Sequence, residues 1–474
     1  MATIRARALS RLRTLPERHG RTTLVLLALI LALGLGLRAY RTVEPVAMPG
    51  DDSRAYYALA ESLYEEGSYG GENFRDPNDW SPGAPLLYSA AFYATGGARE
   101  GTARAVEGLL GLAAIVVVYL LGARLNCRPA GLLAAFAVAV YPPFIHSTGI
   151  LASEPPAIFT LPAAVLAFLW ASDRAPSTVG AGPVAGEGGV SGLTRPNTPH
   201  PHATRAVRWL VPGLLLGATA LIRPEYLVVG IAFVVLAGIR MGRERGWRPG
   251  VAAGSVLLAG LVVVLLPWTV RNAIELDRFA PVSTGGGKAL YVGTYLPADG
   301  DYQRVKALLA ERYLGRDLEP GSEALDRVDP VPLFDRVAKR HPELTRDAAL
   351  GRVGKDNLDR YLGEDPIGYA GMTVRKVGRM WGSGVGEAMS STPGRVVQAL
   401  LVLLALAGLA VLAQRRRWWE VVACATPIAL VTLVGAATLA APRRNEVLMT
   451  LVLTLAAVAV VRIAAATRHI LSRS

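Results

Sequence analysis

Long apolar stretches, nearly free of charge, recur along this chain at 22–40, 105–123, 130–147, 155–171, 208–222, 226–240, 250–270, 395–413, 420–440 and 446–464. They are too long for buried strands, and most come close to the ~20 residues that an upright membrane-spanning helix needs. The pattern predicts an all-α polytopic membrane protein with about ten spans, between roughly eight and twelve. A further apolar stretch, PLLYSAAFYATGG at 85–97, is too short to cross. Counting it as a span would reverse the side of every later loop, so it is expected to lie as an interfacial helix on the outer face.

Composition agrees. Of 474 residues, 52% are hydrophobic and only 18% charged, with a mean hydropathy of +0.34. Soluble chains carry about a quarter charged residues. The formal net charge of +13 does not imply a nucleic-acid partner, because the arginines cluster between apolar runs, which is the positive-inside signature. Cys127 and Cys424 are far apart and suggest neither a disulfide frame nor a zinc site. The excess of Arg over Lys and the abundance of Ala point to a GC-rich bacterial genome, and so to a bacterial plasma membrane.

Loop charge sets the expected sidedness. The basic N-terminus MATIRARALSRLRTLPERHGR is placed inside, and the first run is read as an uncleaved span because no small-x-small cleavage site follows it. The loops at 123–128, 172–207, 240–248 and 414–419 and the C-terminal tail are then Arg-rich and cytoplasmic, as are both termini. Those at 41–104, 146–154, 223–225, 271–394 and 441–445 face outward and hold nearly all the acids. The organisation expected is a basic N-terminus (1–21), a transmembrane region (22–270) with a first outer loop (41–104) and a flexible linker (172–207), an extracytoplasmic helical cap (271–394) and C-terminal spans (395–474). His200 and His202 in the linker are read as solvated side chains.

Candidate chemistry gathers on the outer side. Residues 50–82 hold the acids Asp51, Asp52, Glu61, Glu65, Glu66, Glu72, Asp76 and Asp79 against Arg54 and Arg75. After the Pro49-Gly50 break, Asp51 or Asp52 can cap a helix that presents Tyr56, Leu59, Ala60 and Leu63 on one face and stops near Gly67. A cap uses one carboxylate, which leaves the other able to serve as a general base on a hydroxyl. Glu154 is either a first-turn acid favoured by the helix dipole or a second carboxylate of the same site. His146 reads as a boundary residue. Arg223, beside Pro224 and Glu225, is either a snorkelling turn residue or a phosphate holder. Arg271 follows the interfacial Pro267-Trp268 pair and faces the same layer. STGGGKA at 283–289 is no Walker loop, since Val282 stands where Gly is needed and Ala289 where Ser or Thr is needed. Its glycines still permit close backbone approach. Arg443 and Arg444 are adjacent in an outer loop, against the charge trend, which suggests an anionic partner.

In order and spacing, GDDSRAYYALAESL, DWSPGAPLLYSAAFYATGG, YPPFIHSTGILASE, GLLLGATALIRPE, PWTVRNAIELDRFAPVSTGGGKALYVG and PRRN together resemble the GT-C superfamily of glycosyltransferases. The resemblance is to the bacterial branch related to lipid A aminoarabinose transferase and protein O-mannosyltransferase (glycosyltransferase family 39-like), and it runs from 22 to 464. It implies a GT-C-like fold and transfer of a hexose or pentose from a polyprenyl-phosphate donor to a hydroxyl of an envelope glycan, lipid or protein, on the extracytoplasmic face and with inversion. It further implies that Asp51 or Asp52 is the base, that Glu154 is the second acidic position and that Arg223 lies near the donor phosphate. Arg271, Arg443 and Arg444 are the other expected phosphate-binding residues, although PRRN departs from relatives that carry an aromatic residue and a second proline there. Some superfamily members use a divalent cation between carboxylate and phosphate; the spacings here allow one without requiring it. The rival reading is a polytopic transporter or flippase of an envelope precursor. The lack of an internal repeat and the gathering of charge at one face weigh against it.

Overall fold

The structure, a computed structural model, describes residues 2–43, 51–70, 77–173, 207–277 and 279–472, without the side chains of 2–19, 43, 51, 469 and 470. Most of the linker expected at 172–207, including His200 and His202, lies outside the described residues, as do Glu72, Arg75 and Asp76.

The described chain is helical. In order the helices are α1 (Ala2–Val43), α2 (Asp51–Glu65), α3 (Gly83–Thr95), α4 (Glu100–Leu125), α5 (Arg128–Val140), α6 (Pro142–Ser147), α7 (Glu154–Ala171), α8 (Leu210–Ile222), α9 (Leu227–Arg245) and α10 (Trp247–Leu276). There follow α11 (Gly286–Thr294), α12 (Tyr302–Leu314), α13 (Glu323–Asp326), α14 (Pro330–Ala338), α15 (Arg346–Glu364), α16 (Pro366–Gly382), α17 (Glu387–Ser390), α18 (Thr392–Gln414), α19 (Trp418–Ala437) and α20 (Pro442–Leu471). Among the described residues, 8 helices are long and apolar enough to cross a membrane: α1, α4, α7, α9, α10, α18, α19 and α20. The shorter apolar helices α5 and α8 occupy the two remaining predicted runs. The run expected as one segment at 130–147 is broken. Tyr141 is extended (φ −66°, ψ 118°) because the ring of Pro142 disfavours the helical region for the residue before it, so α6 restarts the helix. The stretch at 85–97 forms α3, which ends at left-handed Gly96 and buries Tyr88 and Phe92 against Tyr56 and Ala60 of α2 and Ala103 of α4.

Side-chain burial separates central from peripheral helices. In the most apolar window of α7, 83% of residues are buried, and in α20 72%, against 11% in α1. Leu29 and Leu33 of α1, Leu109 and Leu120 of α4, Ile231 and Val235 of α9 and Leu400 and Leu403 of α18 instead project from the bundle. Apolar surface of this extent requires lipid to cover it. Small residues set the helix spacing. A methyl on Gly213 of α8 would lie 2.1 Å from Leu257 O of α10, so these backbones touch as membrane helices do through small-residue contacts. Arg38, almost wholly buried in α1, donates to Val138 O and Ala139 O of α5, each at 3.3 Å, and so bonds the two helices across an apolar interior.

The loops fall into two groups. At one end, Arg124 pairs with Asp173 at 2.6 Å, Arg415 donates to Asn126 Oδ1 at 3.2 Å, Arg417 donates to Arg124 O at 3.1 Å, and Arg240 packs over Trp419 at 4.9 Å. The opposite end carries α2, α3 and the helices from α11 to α17, of which α11 to α15 enclose their own core of Val305, Leu309, Leu333, Phe334, Leu350 and Val353. The loops grouped by charge as cytoplasmic and those grouped as outer are therefore segregated in space.

Candidate active site

At the second end, charged residues from four parts of the chain form one alternating row. The first is Glu154. It opens α7, with Pro155-Pro156 in the first turn, where missing N–H groups cost nothing and the helix dipole favours an anion. The approach to it is held by buried Glu107, whose Oε1 accepts from the Tyr88 hydroxyl at 2.7 Å and from Ala152 N at 3.2 Å. Arg223 leaves the end of α8 in extended conformation, as the residue before Pro224 must. Its Nη1 donates to Glu154 Oε1 at 2.7 Å and to Ser153 Oγ at 3.3 Å, and its Nε to Glu225 Oε1 at 3.0 Å. Arg443, in the first turn of α20, donates through Nε and Nη2 to the two oxygens of Glu154 and through Nη1 to Asp52 Oδ2 in a close contact. The other Asp52 oxygen accepts from Trp80 Nε1 at 3.4 Å.

The row Glu225–Arg223–Glu154–Arg443–Asp52 is most buried at its centre and most open at its Asp52 end. The Glu154 side chain is 3% exposed and that of Arg223 9%, whereas Arg443 is 41% exposed and Asp52 49%. Each Glu154 oxygen is already engaged by arginine, and of the three carboxylates in the row Asp52 is the most open to a substrate. Asp51, the other half of the acidic pair, has a side chain outside the described residues.

Two cavities meet at the Asp52–Arg443 pair, and both residues line both. The first, of about 270 Å³, is cationic on balance: Arg223, Lys288, Arg443 and Arg444 face Asp52, Asp79 and Glu225. Tyr56 forms part of its wall, and burial, partly offset by Arg443, pushes the Tyr56 phenol up to about 12. The second cavity, of about 570 Å³, contains Ser53, His146, Glu154 and Glu446. His146 is bonded through Nδ1 to Arg41 at 3.3 Å.

Of the expected arginines, Arg223, Arg443 and Arg444 are brought together. Arg444 also donates to Thr438 Oγ1 at 3.2 Å. Arg271 does not line either cavity. It donates to Asn78 Oδ1 at 2.5 Å and lies over Trp268 and Tyr69, at 5.0 and 5.6 Å, so it braces the Asn78–Trp80 segment from behind. Sequence reasoning missed Lys288, Ser53, Gln303 and Glu446. The only trace of Lys288 was the lysine of the failed phosphate loop. The glycines before it serve the chain itself: Gly287 N and Lys288 N both donate to Asp347 Oδ1, at 2.8 and 3.2 Å. Lys376 was missed as well. Fully buried in α16, it donates to Gly293 O at 2.7 Å and Thr438 O at 2.9 Å, pinning the cap to the segment that leads into Arg443. The arrangement does not fit a metal bridge between Asp52 and Glu154, because the Arg443 guanidinium occupies the space between them. Among the described residues, no three His, Cys, Asp or Glu side chains group closely enough to hold an ion.

Residues 82–181 match the family model PMT, dolichyl-phosphate-mannose-protein mannosyltransferase. That segment contains Glu154 but neither Asp52 nor Arg443. Most of the chain superposes on the archaeal oligosaccharyltransferase AglB from Archaeoglobus fulgidus, in complex with an inhibitory peptide and a dolichol-phosphate. The TM-score is 0.54 at 16% identity, over 95% of this chain and 51% of that one. The Archaeoglobus fulgidus oligosaccharyltransferase tethered with an acceptor peptide gives 0.53 at 15% identity, over 92% and 49%. The fold is GT-C-like. ArnT from Cupriavidus metallidurans bound to undecaprenyl phosphate reaches a TM-score of only 0.38 at 16% identity, over 92% of this chain and 78% of that one, too distant to argue from. No curated protein matches the sequence. The chain spans about half the length of the oligosaccharyltransferases, so the GT-C-like fold is shared while the remainder of those proteins has no counterpart in the alignment. The resemblance read from the motifs holds at the level of that fold.

Proposed function

We propose that this protein is a membrane glycosyltransferase that moves a sugar from a polyprenyl-phosphate donor to a hydroxyl acceptor on the extracytoplasmic face. The observation that carries the reading is the Arg443 guanidinium, shared between a half-exposed aspartate and a buried glutamate where two polar cavities meet. Fold alone does not specify activity, so the argument rests on these groups.

In this reading the cationic cavity takes the donor phosphate. Arg223 and Arg443 are held by Glu154, and Arg444 and Lys288 complete the lining. Planar guanidinium groups recognise phosphate oxygens in pairs, and a phosphate so held is a good leaving group that needs no strong acid. A phosphate competing for Arg443 Nη1 would release Asp52, which then accepts the proton of an acceptor hydroxyl in the second cavity as the hydroxyl attacks the anomeric carbon. Attack from the side opposite the phosphate inverts that centre. Glu154 positions the arginines and takes no part in proton transfer. The dolichol-phosphate in the AglB complex supports a lipid-phosphate donor by fold likeness. The two spatially separate loop groups support an outward-facing site in a bacterial plasma membrane with both termini cytoplasmic.

The test is transfer from labelled polyprenyl-phosphate sugar by the reconstituted protein. Asp52→Asn is expected to lower turnover on the order of 10³-fold, within the range for loss of a general base. Wild-type turnover in that variant would dismiss the assignment. Cysteine labelling from one side of sealed vesicles should reach positions 52 and 223 together.

A further inference from the structure

Three residues that line the second cavity each carry a buried polar atom without a hydrogen-bond partner in the protein: Ser53 Oγ, Gln303 Oε1 and Glu446 Oε1. They come from α2, α12 and α20, so no local turn explains their convergence. Ser53 is 1% exposed and Glu446 2%. The amide of Gln303 is oriented by its own bond, Nε2 to Asp326 Oδ1 at 3.2 Å, which directs the carbonyl oxygen away from that partner. Burying a polar atom without a partner is unfavourable, and native folds leave few such atoms. All three accept hydrogen bonds. The cavity wall also carries the Tyr302 ring and the apolar side chains of Ile150, Pro330 and Val385. A wall that mixes several acceptors with an aromatic face and short apolar patches matches a ring bearing many hydroxyls.

We propose that this cavity is an acceptor subsite for a polyhydroxylated ligand, a glycan whose neighbouring hydroxyls donate to Ser53, Gln303 and Glu446 while one hydroxyl meets Asp52. The proposal rests on the reading of Asp52 as base, and it names the acceptor as a sugar where that reading allowed glycan, lipid or protein. A serine or threonine in a peptide offers one hydroxyl and would leave most of these atoms unsatisfied. Glu446 is the decisive residue, since its amide counterpart fills the same volume but replaces one carboxyl oxygen with an NH2 group that can only donate.

The experiment uses the full chain in nanodiscs, labelled polyprenyl-phosphate sugar as donor, and two acceptor probes, a hexyl glycoside and a threonine-containing hexapeptide. The glycoside should be glycosylated in preference to the peptide. Glu446→Gln and Ser53→Ala should each raise the KM for the glycoside about threefold to tenfold, the range for losing one hydrogen bond. Glu446→Gln should not lower the thermal unfolding midpoint, because a neutral amide is easier to bury than a carboxylate; a purely structural role would lower it. Transfer to the peptide with the glycoside inert would overturn the proposal, as would an unchanged glycoside KM in the double variant or donor hydrolysis with neither probe modified. If the donor is not consumed at all, the transferase reading itself fails. Saturation-transfer NMR with the glycoside then decides the subsite, and absence of contact overturns it.

Discussion

Neutralising Glu154 should uncouple stability from chemistry in a way that neutralising Asp52 does not. The Glu154 side chain is 3% exposed and accepts from Arg223 at 2.7 Å and from Arg443 through both oxygens. Removing one partner of a buried ion pair costs roughly 3–5 kcal/mol when the surviving charge is stranded. Neither arginine would be stranded here: Arg223 keeps Glu225 at 2.9 Å, and Arg443 keeps Asp52. The expected cost of Glu154→Gln is therefore about 2–3 kcal/mol, a fall in unfolding midpoint on the order of 2–3 °C for a chain of this size. Asp52, with its side chain 49% exposed, forms a pair that solvent screens, so Asp52→Asn should cost under about 1 kcal/mol. Kinetics should divide in the opposite sense. Asp52→Asn lowers kcat with little change in donor KM, whereas Glu154→Gln raises donor KM because the arginines lose their anchor. The assay is thermal unfolding by tryptophan fluorescence, paired with donor titrations of transfer. If Glu154→Gln unfolds at the wild-type temperature, or Asp52→Asn is the less stable of the two, the assignment of positioning and reacting roles is wrong.

Other consequences concern the cap and the phosphate site. Arg443→Lys keeps the charge but cannot span Glu154 and Asp52, so transfer should fall about 100-fold, measured with saturating donor; parity with wild type would remove the need for a planar group. Asp299, at left-handed φ 55°, is held below the usual carboxylate range: burial acts against this, but hydrogen bonds from Arg375 and Arg379 overcome it. Its stabilisation is present above the ordinary Asp pKa and lost as pH falls through the depressed one. Asp299→Asn, tolerated by that backbone, should thus lower the unfolding midpoint at neutral pH, with the gap to wild type narrowing as pH falls below the ordinary Asp range, and a gap independent of pH would contradict the ion-pair account. A methyl on Gly293 would lie 2.1 Å from Thr438 O, so Gly293→Ala should push the Thr438–Ala441 segment outward and raise donor KM several-fold in the transfer assay through Arg443 and Arg444.

The membrane fold was legible because lipid is an unforgiving solvent: backbone polar groups must be satisfied within each segment, so every span is written as a local apolar run. Charge at the run ends marked one membrane edge for the same reason, and Asp52, Glu154, Arg223 and Arg443 meet there. Local pattern also misled where a proline acts on its neighbour, as at Tyr141, which divides an apparently continuous run.

The sequence by itself determined that the chain threads a bilayer, and which edge gathers its acids and isolated arginines, since both follow from the free energy of transferring each segment into lipid. Only the tertiary structure decided that Arg443 pairs with residues 289 and 391 positions away, that Arg271 braces a loop instead of facing a cavity, and that Ser53, Gln303 and Glu446 share one wall. Those outcomes depend on how α2, α7, α12 and α20 pack together, and hydrogen bonds and ion pairs between distant segments leave no periodic signature in the chain that makes them.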